Sequence, residues 1–130
     1  METQKPRATF TKEERLTSRK SIQSLMEEGQ NISVFPLRMV WRFAEWQGHF
    51  PAQTAFAVPK KNFPLAVDRN RVKRQMREVY RKNKTVLYAL LNQRNRQAIF
   101  MLIYAGKAKP AYLELEEKFH RILHQLEERL

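Results

Sequence analysis

Between Pro59 and Lys84 the chain reads PKKNFPLAVDRNRVKRQMREVYRKNK, ten Lys and Arg against two acids, a local charge of +8. The whole chain of 130 residues carries +12, so two-thirds of the net charge sits in a fifth of the length. Within this segment Arg69, Lys73, Arg77 and Arg81 recur every four residues, with Arg74 beside them. On a helix, positions three and four apart are surface neighbours, so these side chains form one cationic row. An ordinary solvated face would place acids at the same spacings, and only Glu78 is so placed, within reach of Arg74, Arg81 and Lys82. Arginine dominates, at Arg69, Arg71, Arg74, Arg77 and Arg81. Its planar fork meets phosphate oxygens bidentately and stacks on bases. The chemistry on offer is the binding of a polyanion, with nucleic acid the first candidate. If about six of these groups each neutralise a phosphate, affinity should fall with salt at a log–log slope of roughly −4 to −5.

Other chemistries lack their parts. With no cysteine there is no disulfide framework, thiolate metal site or cysteine nucleophile. Asp68 is the only Asp among thirteen acids, a poor supply of convergent carboxylates for a metal-dependent nuclease. The three glycines, Gly29, Gly48 and Gly106, are isolated and build no phosphate-cradling loop. Glu116, His120 and His124 fall at i, i+4 and i+8, but a site from these three needs a further ligand and supporting groups, so no metal site is expected in the protein. No protein catalytic cluster is expected either. There is no apolar run of membrane-spanning length, and residues 1–20 lack the apolar stretch of a secretion signal, so a soluble cytoplasmic protein is the expectation.

The elements that must position the basic row follow from periodicity. Residues 1–16 read as a basic, mostly extended N-terminal arm, and 17–130 as one domain. With Thr17 or Ser18 as N-cap, Ile22, Leu25 and Met26 give a short helix ending at Gly29. Leu37, Met39, Trp41 and Phe43 alternate with Arg38, Val40 and Arg42, a strand with one face on a core and two arginines on the other. Trp41 is in phase with the apolar face, whereas Trp46 falls in the polar loop EWQGHFP. Residues 53–58 (QTAFAV) form a second strand, expected to pair with the first as an antiparallel hairpin.

A helix capped near Asp68 runs through Lys82 or beyond, with Val72, Met76, Val79 and Tyr80 on its buried side. The segment TVLYALLNQ adds a helical turn or two. Residues 98–104 (AIFMLIY) read as a strand covered on both faces at the sheet's centre. Pro110 opens a last helix in which Leu115, Phe119, Ile122, Leu123, Leu126 and Leu130 repeat with helical period. The order is α-β-β-α-β-α, and the predicted class is α+β, a small two-layer sandwich with a sheet of three or four strands.

The run Pro59-Lys60-Lys61, followed by Ala66-Val67-Asp68-Arg69-Asn70-Arg71-Val72-Lys73-Arg74-Gln75-Met76-Arg77-Glu78, closely resembles the signature of the bacterial ribonuclease P protein subunit. The surroundings resemble that family too: Glu14-Arg15-Leu16 before a short helix ending at Gly29, a hairpin leading into the Lys-Lys turn, an apolar strand and a closing amphipathic helix. The resemblance spans roughly residues 10–128.

It implies a left-handed βαβ crossover and a protein that does not itself cut RNA. The family's RNA subunit, with its bound Mg²⁺, removes the 5′ leader from precursor tRNA; the protein binds that catalytic RNA and helps to hold the leader. By resemblance Arg69, Asn70, Arg71, Lys73, Arg74 and Arg77 face the catalytic RNA, Arg81 extends the row, and Lys60 and Lys61 lie near both RNAs. The expected partners are therefore the catalytic RNA and the precursor's leader, with no membrane and no small-molecule substrate.

The leader cleft departs from the family pattern. Many members place stacking aromatics on the first helix, where this chain has Ile22 and Met26. These two serve either as ordinary core contacts or as an apolar leader contact, and Phe10, Phe35 or Trp41 are the candidates to take over stacking. Arg38 and Arg42 are the candidates for leader phosphates. Phe63-Pro64 also stands where the family commonly has a shorter, glycine-containing turn. Two rival readings are a generic, ribosomal-protein-like RNA binder with no role in processing, and a protein-only nuclease.

Overall fold

The computed structural model describes residues 9–130. The first eight positions of the expected arm lie outside that range. Its remainder is folded onto the domain rather than extended. Residues Lys12–Glu14 make a 3-10 turn, Arg15 bridges to Thr54, Leu16 is buried, and Phe10 packs edge-on against Phe56 and Tyr80.

Ser18 caps α1 (Arg19–Glu28), its hydroxyl oxygen accepting from the Ser21 amide at 3.2 Å. Gly29 ends the helix with its N–H on the Leu25 carbonyl. The next residue already belongs to a strand, so the chain turns in a place with no room for a side chain. A Cβ on Gly29 would stand 2.4 Å from the Leu25 oxygen and 2.5 Å from Val40. Strand β1 (Gln30–Val34) was not expected, and it is the true hairpin partner of β2 (Leu37–Phe43), joined across Phe35 and Pro36. Strand β3 (Ala52–Ala57) does not pair with β2. Strand β4 (Ala98–Tyr104) inserts between them, antiparallel to β2 and parallel to β3, in the order β1-β2-β4-β3. The predicted β2–β3 hairpin is thereby corrected. Every residue of β4 is buried, and such a strand needs a neighbour on each side.

Helix α2 (Ala66–Gln93) joins β3 to β4 and is unbroken, absorbing the TVLYALLNQ segment. It begins two residues before Asp68, which sits in its first turn instead of capping it and faces Lys109 at 3.6 Å. Helix α3 (Tyr112–Arg129) closes the chain.

Strand alternation divides the sheet into two faces. Leu37, Met39, Trp41, Phe100 and Leu102 meet Val72, Met76, Val79 and Tyr80 of α2, and Leu115, Phe119, Ile122 and Leu126 of α3, in the larger core. The other face carries Val40, Ile99, Met101 and Ile103, covered by Leu25 of α1 and by Leu16. Toward β3 this cover thins, and Ala55 and Ala57 are only half-buried. The architecture is the expected α+β sandwich.

Candidate nucleic-acid interface

The basic segment is mounted on two supports, the loop after β3 and the first turns of α2. The loop is built rather than slack. The amides of Asn62 and Phe63 both donate to the Pro59 carbonyl, the Asn62 side-chain amide donates to the Ala105 carbonyl at 3.4 Å, and Phe63 is buried against Tyr104 with ring centroids 6.0 Å apart. Lys60 and Lys61 are exposed on it. The apolar stripe of α2 faces the core, which turns Asn70, Arg71, Arg74 and Arg77 outward, all exposed, with Lys73 half-buried at the flank. Among the described residues, Lys60, Lys61, Arg71, Lys73, Arg74 and Arg77 have no carboxylate within 4.0 Å.

Four basic groups of the segment are engaged elsewhere. Arg81 is half-buried and pairs with Glu78 at 2.5 Å, and Lys82 approaches the same carboxylate at 3.8 Å. Hydrogen bonds from Arg81, reinforced by the charges of Arg81 and Lys82, hold the Glu78 carboxyl below its ordinary range. Arg69 is half-buried, and its Nη1 donates to the carbonyls of Phe63 at 2.9 Å and Pro64 at 2.8 Å. Lys84, counted with the basic run by sequence, is buried and paired with Glu14 at 2.5 Å.

On the second sheet face Arg38, exposed, donates from Nε to Asn31 Oδ1 at 2.7 Å. It lines a depression of about 450 Å³ with Lys61, Lys107 and Asn62, and with the apolar groups of Pro59, Ile103 and Ala105. Lys107 was not among the expected site residues. It comes from the loop after β4, and no sequence spacing connects it to Arg38 or Lys61. Arg42 is committed to α1: it pairs with Glu28 at 2.9 Å and hydrogen-bonds the Ser24 hydroxyl. Ile22 is half-buried in the smaller core, while Met26 is 49% exposed beside it. Of the alternative stacking candidates, Trp41 is buried, Phe10 is half-buried against the larger core and Phe35 is 73% exposed. Trp46 is half-buried against the smaller core.

Glu116 and His120 are bridged by the Asn83 side-chain amide, Nδ2 donating to Glu116 Oε2 at 3.0 Å and Oδ1 meeting His120 Nε2 at 2.7 Å. Among the described residues no three His, Asp or Glu converge as metal ligands would.

The fold and the interface define the class of protein: a small basic α+β domain that presents uncompensated cations on a rigid helix and an adjoining loop, suited to binding nucleic acid. A family model described as Ribonuclease P matches residues 10–127. The chain is 36% identical over 118 residues to the ribonuclease P protein component of Porphyromonas gingivalis (strain ATCC 33277), covering 89% of this chain and 86% of the relative. It is 31% identical to the ribonuclease P protein component of Chlorobium phaeobacteroides, covering 91% and 88%. The fold matches the RNase P proteins of Staphylococcus aureus, TM-score 0.68 at 16% identity over 87% of this chain and 94% of that one, and of Thermotoga maritima, TM-score 0.68 at 22% identity over 86% and 96%.

The chain belongs to the ribonuclease P protein family. Its role is that of the protein subunit of this endoribonuclease, an accessory subunit in tRNA processing.

Proposed function

We propose that this chain binds the catalytic RNA of ribonuclease P through Lys60, Lys61, Asn70, Arg71, Lys73, Arg74 and Arg77, and holds the 5′ leader of precursor tRNA on the second face of the sheet. The observation that carries the reading is the set of six cations with no carboxylate of the described residues within 4.0 Å, on one loop and one helix. Like charges so placed repel one another along a helix, and a phosphate backbone removes that repulsion while releasing its own counterions. The leader runs past Arg38, Lys61 and Lys107, with Met26 offering an apolar contact at the rim.

Divalent ions, Mg²⁺ foremost, act on the scissile phosphodiester from sites in the RNA. The acids described here are dispersed or spent in ion pairs, which suits a protein that supplies charge screening and position, and leaves the metal chemistry to its partner. The complex works in the cytoplasm.

The test is cleavage of a precursor tRNA at physiological Mg²⁺ by the protein alone, by a ribonuclease P RNA alone, and by both. Stimulation confined to the mixture is the expected result; cleavage by the protein alone, or no effect of adding it, would overturn the proposal. In the same system R71A/R74A should weaken assembly with the catalytic RNA and lower the magnitude of the log–log salt slope by roughly 2, since each phosphate contact contributes about 0.9. The thermal midpoint should stay near wild type, because both side chains are exposed and unpaired.

A further inference from the structure

Arg69 differs from the other members of the basic row in what its guanidinium already does. It is half-buried, and one nitrogen donates to two consecutive carbonyls, Phe63 and Pro64, at 2.9 and 2.8 Å. These belong to the loop that carries Lys60 and Lys61. The loop's near end is tied by the Asn62 and Phe63 amides on Pro59, and its middle by Asn62 on Ala105 and by the buried Phe63 ring. Pro64 has no N–H, and Leu65 and Ala66 are exposed, so between Phe63 and the first turn of α2 the side-chain tie comes from Arg69.

We infer that Arg69 is a positioning residue: its guanidinium clamps the Phe63–Pro64 carbonyls to α2 and thereby fixes Lys60 and Lys61 against the helix, so that loop and helix present one cationic surface to RNA. Charge-assisted bonds from arginine to carbonyls are among the stronger hydrogen bonds available, and a guanidinium spent on them has fewer donors left for phosphate. A lysine at this position would keep the charge but lose the planar fork. The inference rests on the interface reading above and assigns Arg69 an indirect part in it.

The experiment is a double-mutant cycle on binding to a ribonuclease P RNA, using the full chain with wild type, R69A, K60A/K61A and the combination, and R69K alongside. A residue that acts through the two lysines loses its effect once they are gone. R69A should therefore weaken binding several-fold in the wild-type background and by less than about twofold in K60A/K61A, and R69K should behave like R69A. Additive losses, or R69K with wild-type affinity, would make Arg69 a direct phosphate contact and overturn the inference. Wild-type binding by K60A/K61A would overturn it too, by removing the loop from the interface, while R71A/R74A reports separately whether the helix is the RNA-binding element. Should R69A unfold, R69K carries the same discrimination, since it retains both the charge and the aliphatic stem.

Discussion

What a basic side chain contributes depends on what already touches it. Lys84 and Arg74 are the same in formal charge, but Lys84 is 4% exposed and its ammonium meets Glu14, whose carboxylate also accepts from the Thr11 amide at 3.0 Å and from the Tyr88 hydroxyl. Burial alone would raise the Glu14 pKa; hydrogen bonds from Lys84, Thr11 and Tyr88, together with the Lys84 charge, outweigh it and hold the carboxyl below its ordinary range. A carboxyl depressed in the folded state stabilises fully above its unfolded pKa, and that stabilisation is lost as pH falls through the folded value. Glu14→Gln leaves a buried ammonium without its counter-charge and should cost about 3–5 kcal/mol in urea unfolding at neutral pH. Its stability profile should also be flatter than wild type below the ordinary carboxylate range. A variant with wild-type stability would mean that the pair is not structural. Sequence spacing had no means of separating Lys84 from the row, because its partner lies seventy positions away, and only the resemblance drew notice to Glu14-Arg15-Leu16.

At the scale of elements, periodicity located α1, β2, β3, α2, β4 and α3, and the failures share a cause. Strand β1 offers only Ile32 and Val34 in five residues of an edge strand with one wet face, and it follows Gly29 without any loop to announce it. Pairing was misread because sequence neighbours were taken for sheet neighbours. The remedy was present in AIFMLIY, since a strand buried at every position cannot lie at an edge and must displace β3 from β2. The same crowding makes the α1–β1 corner a sensitive point. Gly29→Ala puts a methyl against the Leu25 carbonyl and Val40, so α1 must move off the sheet or the corner must distort. We expect a loss of about 1–3 kcal/mol in chemical denaturation, the usual cost of forcing extra volume into a packed site. An unchanged midpoint would show that the corner relaxes freely.

Across the whole molecule, the proposed interface joins two surfaces, the outward side of α2 and the depression on the second sheet face, and the loop of residues 59–65 lies between them. Arg38 from β2, Lys61 from this loop and Lys107 from the loop after β4 line the depression together with Asn62 and the apolar groups of Pro59, Ile103 and Ala105. Cations interleaved with apolar groups suit a single-stranded nucleotide, whose phosphate and base need different surroundings, better than they suit a duplex backbone. Arg42 falls outside this set because Glu28 and Ser24 hold it against α1. R38A/K107A should therefore separate the two surfaces. Affinity of the assembled complex for a precursor tRNA with its leader should fall about tenfold or more, the scale of one or two charge-assisted contacts. Affinity for the same tRNA without a leader, and assembly with the catalytic RNA, should stay within about twofold. Equal losses for both tRNAs would assign Arg38 and Lys107 to general electrostatic attraction, and their depression would no longer qualify as the leader's seat.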